Sequence, residues 1–153
     1  MKHFDKILCP YDFSPHSEEA LRYAMKLADN TTGITLLNAI QLPYLIDPNG
    51  FSYYDFKADE LKKSTEDSLA KKVEEVKSTY PDLNFDFKIE VDNDPAEIVL
   101  KVQKEGKYDL IVIGSHGRKG LGRILMGSVA EAILRDADCP VLIIKMIKPK
   151  TAA

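Results

Sequence analysis

The chain is poor in the features that mark membrane, secreted and nucleic-acid-binding proteins. None of its hydrophobic runs approaches the roughly 18 residues that a bilayer-spanning helix needs, so no membrane association is expected. The first residues, Met1–Asp5, lack a signal-peptide layout and lead into a predicted strand, which favours a cytoplasmic protein. A net charge of −3 and a pI near 5.6 argue against nucleic acid as a partner.

Cysteine is also scarce, with only two residues, Cys9 and Cys139. Neither lies in a C-x-x-C pair or at a metal-ligand spacing, and disulfides are uncommon in the cytosol, so we expect two buried free thiols. Paired carboxylates at metal-ligand spacing and a nucleophile next to a base are missing as well. The sequence therefore predicts no catalytic residue and no metal ion bound by side chains.

What the chain does contain is an ordinary globular composition. Of its 153 residues, 44% are hydrophobic and 29% are charged, which suits one domain with a substantial core. We assign residues 1–147 to that domain. The short polar segment 148–153 is predicted to be a disordered tail.

Short apolar runs alternate with segments of helical spacing along the whole chain. This alternation predicts a single-domain α/β fold, in which an open parallel sheet carries helices on both faces. The predicted strands are Ile7–Cys9, Ile34–Ile40, Phe85–Val91, Asp109–Ile113 and Val141–Ile144. The predicted helices begin at Pro15, Lys57, Pro95 and Ser128, and the third of them ends at Gly106.

Two of these helices have a predicted inward face. In the first helix it comprises Ala20, Leu21, Ala24, Met25, Leu27 and Ala28. In the second, which is expected to run to Tyr80, it comprises Leu61, Leu69, Val73, Val76 and Tyr80. Residues 41–56 before that helix are predicted to form a long loop, whose Tyr53 and Tyr54 either cover a ligand or pack within the loop.

The stretch Gly114–Ser128 is the richest in chemistry. It holds five of the eight glycines together with the cations Arg118, Lys119 and Arg123, between a predicted strand and a predicted helix. Glycine lets backbone N–H groups approach a ligand, and a helix start offers unpaired N–H groups and the positive end of its dipole. The pattern therefore predicts a phosphate site, at the sheet edge that the Asp12 loop and Ala39–Ile40 would share.

The spacing excludes two common phosphate motifs. Gly117 and Gly122 have the gap of a P-loop, but Arg123-Ile124 follows where Lys and Ser or Thr belong. A dinucleotide fingerprint starting at Gly120 fails because Leu125 replaces its third glycine.

Several residues in this region have two possible roles. Asp12 suits a ribose, whose hydroxyls it can accept, but it could also cap the first helix. Ser128 can donate to a phosphate, or it can serve only as a helix cap. The glycines could serve tight turns alone, His116 could be merely solvated, and the cations, Arg118 among them, could form a wet surface.

Three separated segments agree with one known family. They are the pattern Gly114, Gly117, Gly127-Ser128, the opening Pro10–Ser14 and the closing Cys139–Ile144. With them the chain resembles, over nearly its whole length, the ATP-binding branch of the universal stress proteins. The resemblance implies a Rossmann-like parallel sheet of five strands in the order 3-2-1-4-5, with ATP bound across its carboxyl edge.

The resemblance also implies roles for particular residues. The residues expected to flank the adenosine are Pro10, Tyr11 and Asp12, and Ala39 would contact adenine through its backbone. Those expected to hold ribose and phosphates are Gly114, His116, Gly117, Gly127, Ser128 and Val129. Arg118 would help to neutralise the triphosphate, which magnesium or manganese could accompany.

One segment departs from the family pattern. Many relatives have a glycine before the proline of the segment Asp92-Asn93-Asp94-Pro95. Because Asn93 can take a left-handed conformation, we expect the turn to survive without that glycine.

The last strand, Val141–Ile144, is apolar on both faces although it should lie at a sheet edge. Exposed apolar edges pair with other chains, and family members pair through this strand, so a homodimer is expected.

The function that follows is an ATP-binding stress or signalling protein with at most slow hydrolysis. Two alternatives stay open: a nucleotide-free dimeric scaffold of the same family, and a true ATPase or adenylyl-transfer enzyme.

Overall fold

The computed structural model describes residues 3–42, 53–117 and 126–147, with the side chains of residues 53–57 left out. Strands and helices alternate, as the sequence predicts. The strands are β1 Lys6–Pro10, β2 Gly33–Gln41, β3 Asn84–Asp92, β4 Leu110–Gly114 and β5 Val141–Ile144. The helices are α1 Pro15–Leu27, α2 Tyr53–Thr79, α3 Pro95–Gly106 and α4 Ser128–Asp136.

All five strands are parallel and lie in the order β3-β2-β1-β4-β5, which confirms the predicted fold class and strand order. β1 is central, with Ile7 opposite both Ile34 of β2 and Leu110 of β4. Its apolar residues point alternately to the two faces, so the sheet separates two hydrophobic cores. One contains the buried residues of α1 and α2, and the other those of α3 and α4.

Two helices begin where the local sequence predicts. The Ser14 hydroxyl caps α1 by accepting from the Ser17 N–H at 3.2 Å, and Asp94 caps α3 by accepting from the Ala96 N–H at 3.0 Å. Proline follows each cap, where its missing N–H costs nothing.

The prediction of a buried side chain is wrong for three residues of the inward faces. Leu27, Leu61 and Tyr80 are 38%, 49% and 45% exposed. Leu27 is the last residue of α1 and Tyr80 follows the end of α2. Among residues 58–79 of α2, whose side chains are described, the first buried one is Leu69. Helical spacing extends past the part of each helix that the sheet covers, so the period alone overestimates the buried face.

The predicted loop 41–56 is also too long. β2 continues through Gln41 and α2 begins at Tyr53, while residues 43–52 and the side chains of Tyr53 and Tyr54 lie outside the described part of the chain. So does the predicted tail, residues 148–153. In the ranges 3–42, 53–117 and 126–147 no helix is long and apolar enough to cross a bilayer.

Left-handed backbone occurs at positions that the sequence did not predict. Within the described residues the non-glycine positions with positive φ are Phe13 (63°) and Lys107 (54°). The turn before α3 is therefore made without left-handed backbone at Asn93, and Asp94 and Pro95 still open the helix. α3 ends at Gly106 as predicted, but Lys107 takes the left-handed cap conformation.

The two cysteines are free. Cys9 is completely buried, and burial raises the pKa of its thiol to about 12. Cys139 is only partly buried, which corrects the expectation of two buried thiols.

Candidate functional site

The carboxyl end of β1 is held against β2 by its backbone. The Tyr11 N–H donates to the Leu37 carbonyl at 2.8 Å, and the Asn38 side chain donates to the Tyr11 carbonyl at 2.9 Å. Pro10 is the last residue of β1, so these bonds lie directly beyond the strand. They give the following turn a rigid starting point.

The Tyr11 side chain belongs to the core. It is 2% exposed and its hydroxyl donates to the Glu18 carboxylate. Burial, and then this hydrogen bond, raise the pKa of Tyr11 well above its usual value, so the phenol stays protonated. Tyr11 therefore supports the carboxyl edge from within the fold, because its ring is buried and its N–H and carbonyl already have partners on β2. A contact from Tyr11 to adenosine stays a prediction.

Asp12 forms the turn between β1 and α1. One carboxylate oxygen accepts from the Ser14 N–H at 3.0 Å, and the Asp12 N–H donates to the Ser17 hydroxyl at 3.3 Å. Ser14 rather than Asp12 is the cap of α1, which answers the capping alternative. The second carboxylate oxygen lies 3.1 Å from the position that a Cβ on Gly117 would occupy. The fold thus brings together Asp12 and Gly117, which are far apart in sequence.

Gly114 is needed for packing. A Cβ at this position would lie 2.8 Å from the carbonyl oxygen of His16 and 2.9 Å from its carbonyl carbon. Real Cβ atoms do not approach backbone that closely, so only glycine allows α1 to lie against the end of β4. A contact from Gly114 to a ligand stays a prediction.

The two ends of the glycine-rich loop are tied together. The Gly127 N–H donates to the Ser115 carbonyl at 2.6 Å, and the Ser115 N–H donates to the Ile144 carbonyl at 2.9 Å. Residues 118–125 between these ends, including Arg118, Lys119 and Arg123, lie outside the described residues. Neutralisation of a triphosphate by Arg118 therefore stays a prediction.

α4 begins at Ser128, as predicted, and the structure decides between the two roles left open for this residue. Gly127 occupies the N-cap position and Ser128 is already the first helical residue, so Ser128 is not the cap. Among the described residues no side chain makes a capping hydrogen bond to this helix. The first N–H groups of this helix, among them those of Ser128 and Val129, have no acceptor within the helix and can donate to an anion.

A second histidine lies near the site. The rings of His16 and His116 are 5.3 Å apart between centroids, and His116 Nδ1 lies 3.0 Å from the Ser115 hydroxyl. Within the described residues His16 Nδ1 is buried without a hydrogen-bond partner. Sequence reasoning missed His16 because no local pattern marks it. Its position in the first turn of the helix after β1 could have placed it near the carboxyl edge of the sheet.

Ala39 lies near the carboxyl end of β2, opposite Glu90 of β3, and is half-buried. It therefore occupies the sheet edge that Asp12 and Gly117 share, on the next strand.

These features define a class of protein: a doubly wound α/β fold with glycine-rich and acidic loops at the carboxyl edge. The strand order reverses between β1 and β4, and open α/β sheets bind ligands at such switch points. Comparison with known sequences is specific. The chain belongs to the Universal stress protein family, whose sequence model matches residues 3–145.

Two archaeal relatives are similar over nearly the whole chain. Universal stress protein MJ0531 of Methanocaldococcus jannaschii is 31% identical over 154 residues, covering 96% of this chain and 84% of the relative. Universal stress protein MJ0577 of the same organism is 31% identical over 155 residues, covering 93% and 95%.

Solved structures agree with the fold. The MJ0577 structure superposes with a TM-score of 0.75 at 29% identity, covering 96% of this chain and 99% of that one. UspA from Lactobacillus plantarum gives a TM-score of 0.78 at 21% identity, covering 94% and 99%, and this similarity concerns the fold alone.

Proposed function

We propose that this chain is a cytoplasmic ATP-binding stress or signalling protein, which acts through nucleotide-dependent conformation or partner binding. The observation that carries the proposal is the approach of the Asp12 carboxylate to Gly117, at the sheet edge where α4 begins and where no side chain of the described residues caps it. One part of this arrangement suits a ribose and the other a phosphate chain.

The ribose would lie at Asp12. A carboxylate accepts hydrogen bonds from neighbouring hydroxyl groups, and the missing side chain at Gly117 leaves room beside it. Ala39 and Pro10 would line the adenine with their backbone, on the two strands that adjoin the switch point.

The phosphates would lie at the start of α4. The proposed contacts are the N–H groups of Ser128 and Val129, with Gly127, whose own N–H donates to Ser115, directly before them. His116, Gly114 and the cation Arg118 would join them. Magnesium or manganese would then be held chiefly by phosphate oxygens, because the described residues gather no group of three or more His, Cys, Asp or Glu side chains that could bind a metal.

Related folds are known with adenine nucleotides. One universal stress protein of 17% identity and TM-score 0.66 was solved with cAMP, and an Arabidopsis thaliana family protein of 18% identity and TM-score 0.60 with AMP bound. At these identities the proteins share the fold with this chain. Which nucleotide this chain holds is therefore a question for experiment.

The test begins with the purified protein. Denaturation should release an adenine nucleotide, which chromatography and mass spectrometry identify, and titration of the stripped protein should show binding of ATP. Absence of adenine nucleotide in the first experiment and of ATP binding in the second would defeat the proposal and favour the nucleotide-free scaffold.

A matched pair of variants locates the site. Asp12→Asn keeps an oxygen that can accept from Ser14 but loses the charge and one strong acceptor, so ATP affinity should fall about tenfold. Asp59→Asn, at an exposed position in α2, should leave it unchanged. Steady hydrolysis that is abolished by changing Asp12 or His116 would instead favour the enzyme alternative.

We also propose a homodimer that pairs through β5. This strand lies at the end of the sheet, and the exposed residues Met146 and Ile147 follow it. The carbonyls of Pro140 and Ile144 point towards β4, so the N–H of Ile143, by alternation, points to the open edge.

Proline is tolerated at edge positions whose N–H faces outward, so Ile143→Pro removes the pairing donor while leaving the bonds to β4 in place. We expect this variant to sediment as a monomer, with Ile143→Val as the dimeric control. A folded Ile143→Pro variant that remains a dimer would exclude pairing by this strand.

A further inference from the structure

One carboxylate connects the candidate site to the second helix. A Glu18 oxygen accepts from the Tyr11 hydroxyl and also lies 2.9 Å from the Lys72 ammonium nitrogen. Tyr11 follows β1, Glu18 lies in the first turn of α1, and Lys72 lies in the second half of α2. The Tyr11–Glu18–Lys72 network therefore joins the end of β1, the start of α1 and the second half of α2.

Two members of the network are largely shielded from water, and the carboxylate that they share is partly exposed. The side chain of Lys72 is only 16% exposed and Tyr11 is 2% exposed, while that of Glu18 is 43% exposed. Partial burial strengthens an ion pair relative to one on the surface. A second carboxylate, that of Glu75, lies 3.8 Å from the same ammonium nitrogen, on the solvent side with 70% exposure. Of these two carboxylates, that of Glu18 is therefore the closer partner of Lys72.

The residue beside this network has an unfavourable backbone conformation. Phe13 has a φ of 63°, a region that bulky side chains rarely adopt and that persists only where surrounding contacts impose it. Its ring packs edge-on against Tyr11, with 5.0 Å between centroids and planes at 70°. The Tyr11 ring thus supports Phe13 from one side, and the Asp12 carboxylate lies immediately before it.

We propose that Glu18 and Lys72 are positioning residues for the nucleotide: through the Tyr11 ring they hold the strained Phe13 and so fix the direction of the Asp12 carboxylate. The placement of α2 then sets the affinity for the nucleoside part of the ligand. This inference rests on the proposed function, because it assigns Asp12 to the ribose.

Positioning and plain stabilisation differ in what they change. A network that only stabilises the fold would lower the resistance to urea and leave the dissociation constants of the folded protein unaltered. A network that positions Asp12 weakens ATP and adenosine by the same factor, because both contain the ribose. A change at the phosphate site would weaken ATP and spare adenosine.

The experiment uses Lys72→Met, Tyr11→Phe and the double variant of the full chain, with Lys71→Met as the control at an exposed position of the same helix. Each single variant should bind both ATP and adenosine about tenfold more weakly. The double variant should lose little more than either single one, because the residues act as a unit. Lys71→Met should bind like the wild type.

Hydrogen exchange on the ligand-free proteins provides a second readout. In Lys72→Met the backbone amides of Asp12 and Phe13 should exchange faster than in Lys71→Met. Unchanged affinities in a less stable Lys72→Met variant would overturn the positioning role, and so would a loss confined to ATP. A wild-type chain that binds no adenine nucleotide defeats the proposed function. In that case unchanged exchange at Phe13 overturns the positioning role separately.

Discussion

The replacement of Gly114 by alanine provides a direct test of how the glycine-rich stretch is built. Of the three glycines in the family pattern, Gly114 is the one that a Cβ would drive into backbone, 2.8 Å from the His16 carbonyl oxygen. At Gly117 the nearest atom is a side-chain oxygen of Asp12, at 3.1 Å, which can shift. We therefore expect Gly114→Ala to affect folding and Gly117→Ala to affect the ligand site.

The size of the folding effect follows from two opposing terms. Overpacking of a closed contact costs about 1–3 kcal/mol, and the loss of unfolded-state freedom on replacing glycine returns about 0.4–1 kcal/mol. The centres of these two ranges leave a net loss of about 1.3 kcal/mol. Because each kcal/mol shifts the melting temperature of a chain this size by about 2–4 °C, Tm should fall by about 3–5 °C.

Urea denaturation and thermal scanning of ligand-free protein measure this effect. Gly33→Ala is the control, because its Cβ would meet only the Asp5 carbonyl oxygen, at an ordinary 3.9 Å, and it should match or exceed the wild type in stability. Gly117→Ala should stay within about 0.5 kcal/mol of the wild type. If Gly114→Ala proved as stable as Gly33→Ala, the proposed close packing of α1 on β4 would be refuted.

Three further predictions concern stability and reactivity. In urea denaturation Leu69→Ala should cost about 2–5 kcal/mol and Leu61→Ala less than about 0.5 kcal/mol, and equal costs would contradict their opposite burial. Because burial holds the pKa of Cys9 near 12, a thiol reagent at pH 8 should modify Cys139 first, whereas equal rates would show that Cys9 is accessible. Hydrogen bonds from the side chain and backbone of Thr31 lower the pKa of the Asp29 carboxyl below its ordinary value of 3.8. The ionised carboxylate therefore stabilises the fold fully above the unfolded-state pKa, and this stabilisation is lost as pH falls through the lower folded-state pKa. Asp29→Asn should therefore flatten the acid limb of the stability profile, and an unchanged limb would contradict this.

Local sequence signals correctly predicted the order of the strands and helices and two of the helix starts. The pairs Ser14-Pro15 and Asp94-Pro95 mark helix starts because a cap and a proline act on N–H groups within the same turn. Strand order, too, was recognised from the family resemblance, and the alternation of elements by itself required a parallel sheet.

Predictions that depended on neighbours in space were less accurate. Leu61 has the same helical period as Leu69, yet only Leu69 lies where α2 contacts the sheet. The start of α4 at Ser128 was predicted, but the sequence left open whether Ser128 caps the helix, and the structure places Gly127 at the N-cap. Neither the buried length of α2 nor the cap of α4 can be recognised from a few neighbouring residues, because each depends on where other parts of the fold lie.

The sequence by itself determined the α/β class, the family and the set of loops that reach one edge of the sheet, since periodicity, caps and glycine spacing are local properties of the chain. Tertiary structure alone decided which of those loops touch. It brought Asp12 to Gly117, His16 to His116 and Lys72 to Glu18, and it assigned Gly114 to close packing. The physical reason is that distances of 3–5 Å between such residues depend on the packing of α1 and α2 against β1 and β4, and many residues along the chain determine that packing jointly.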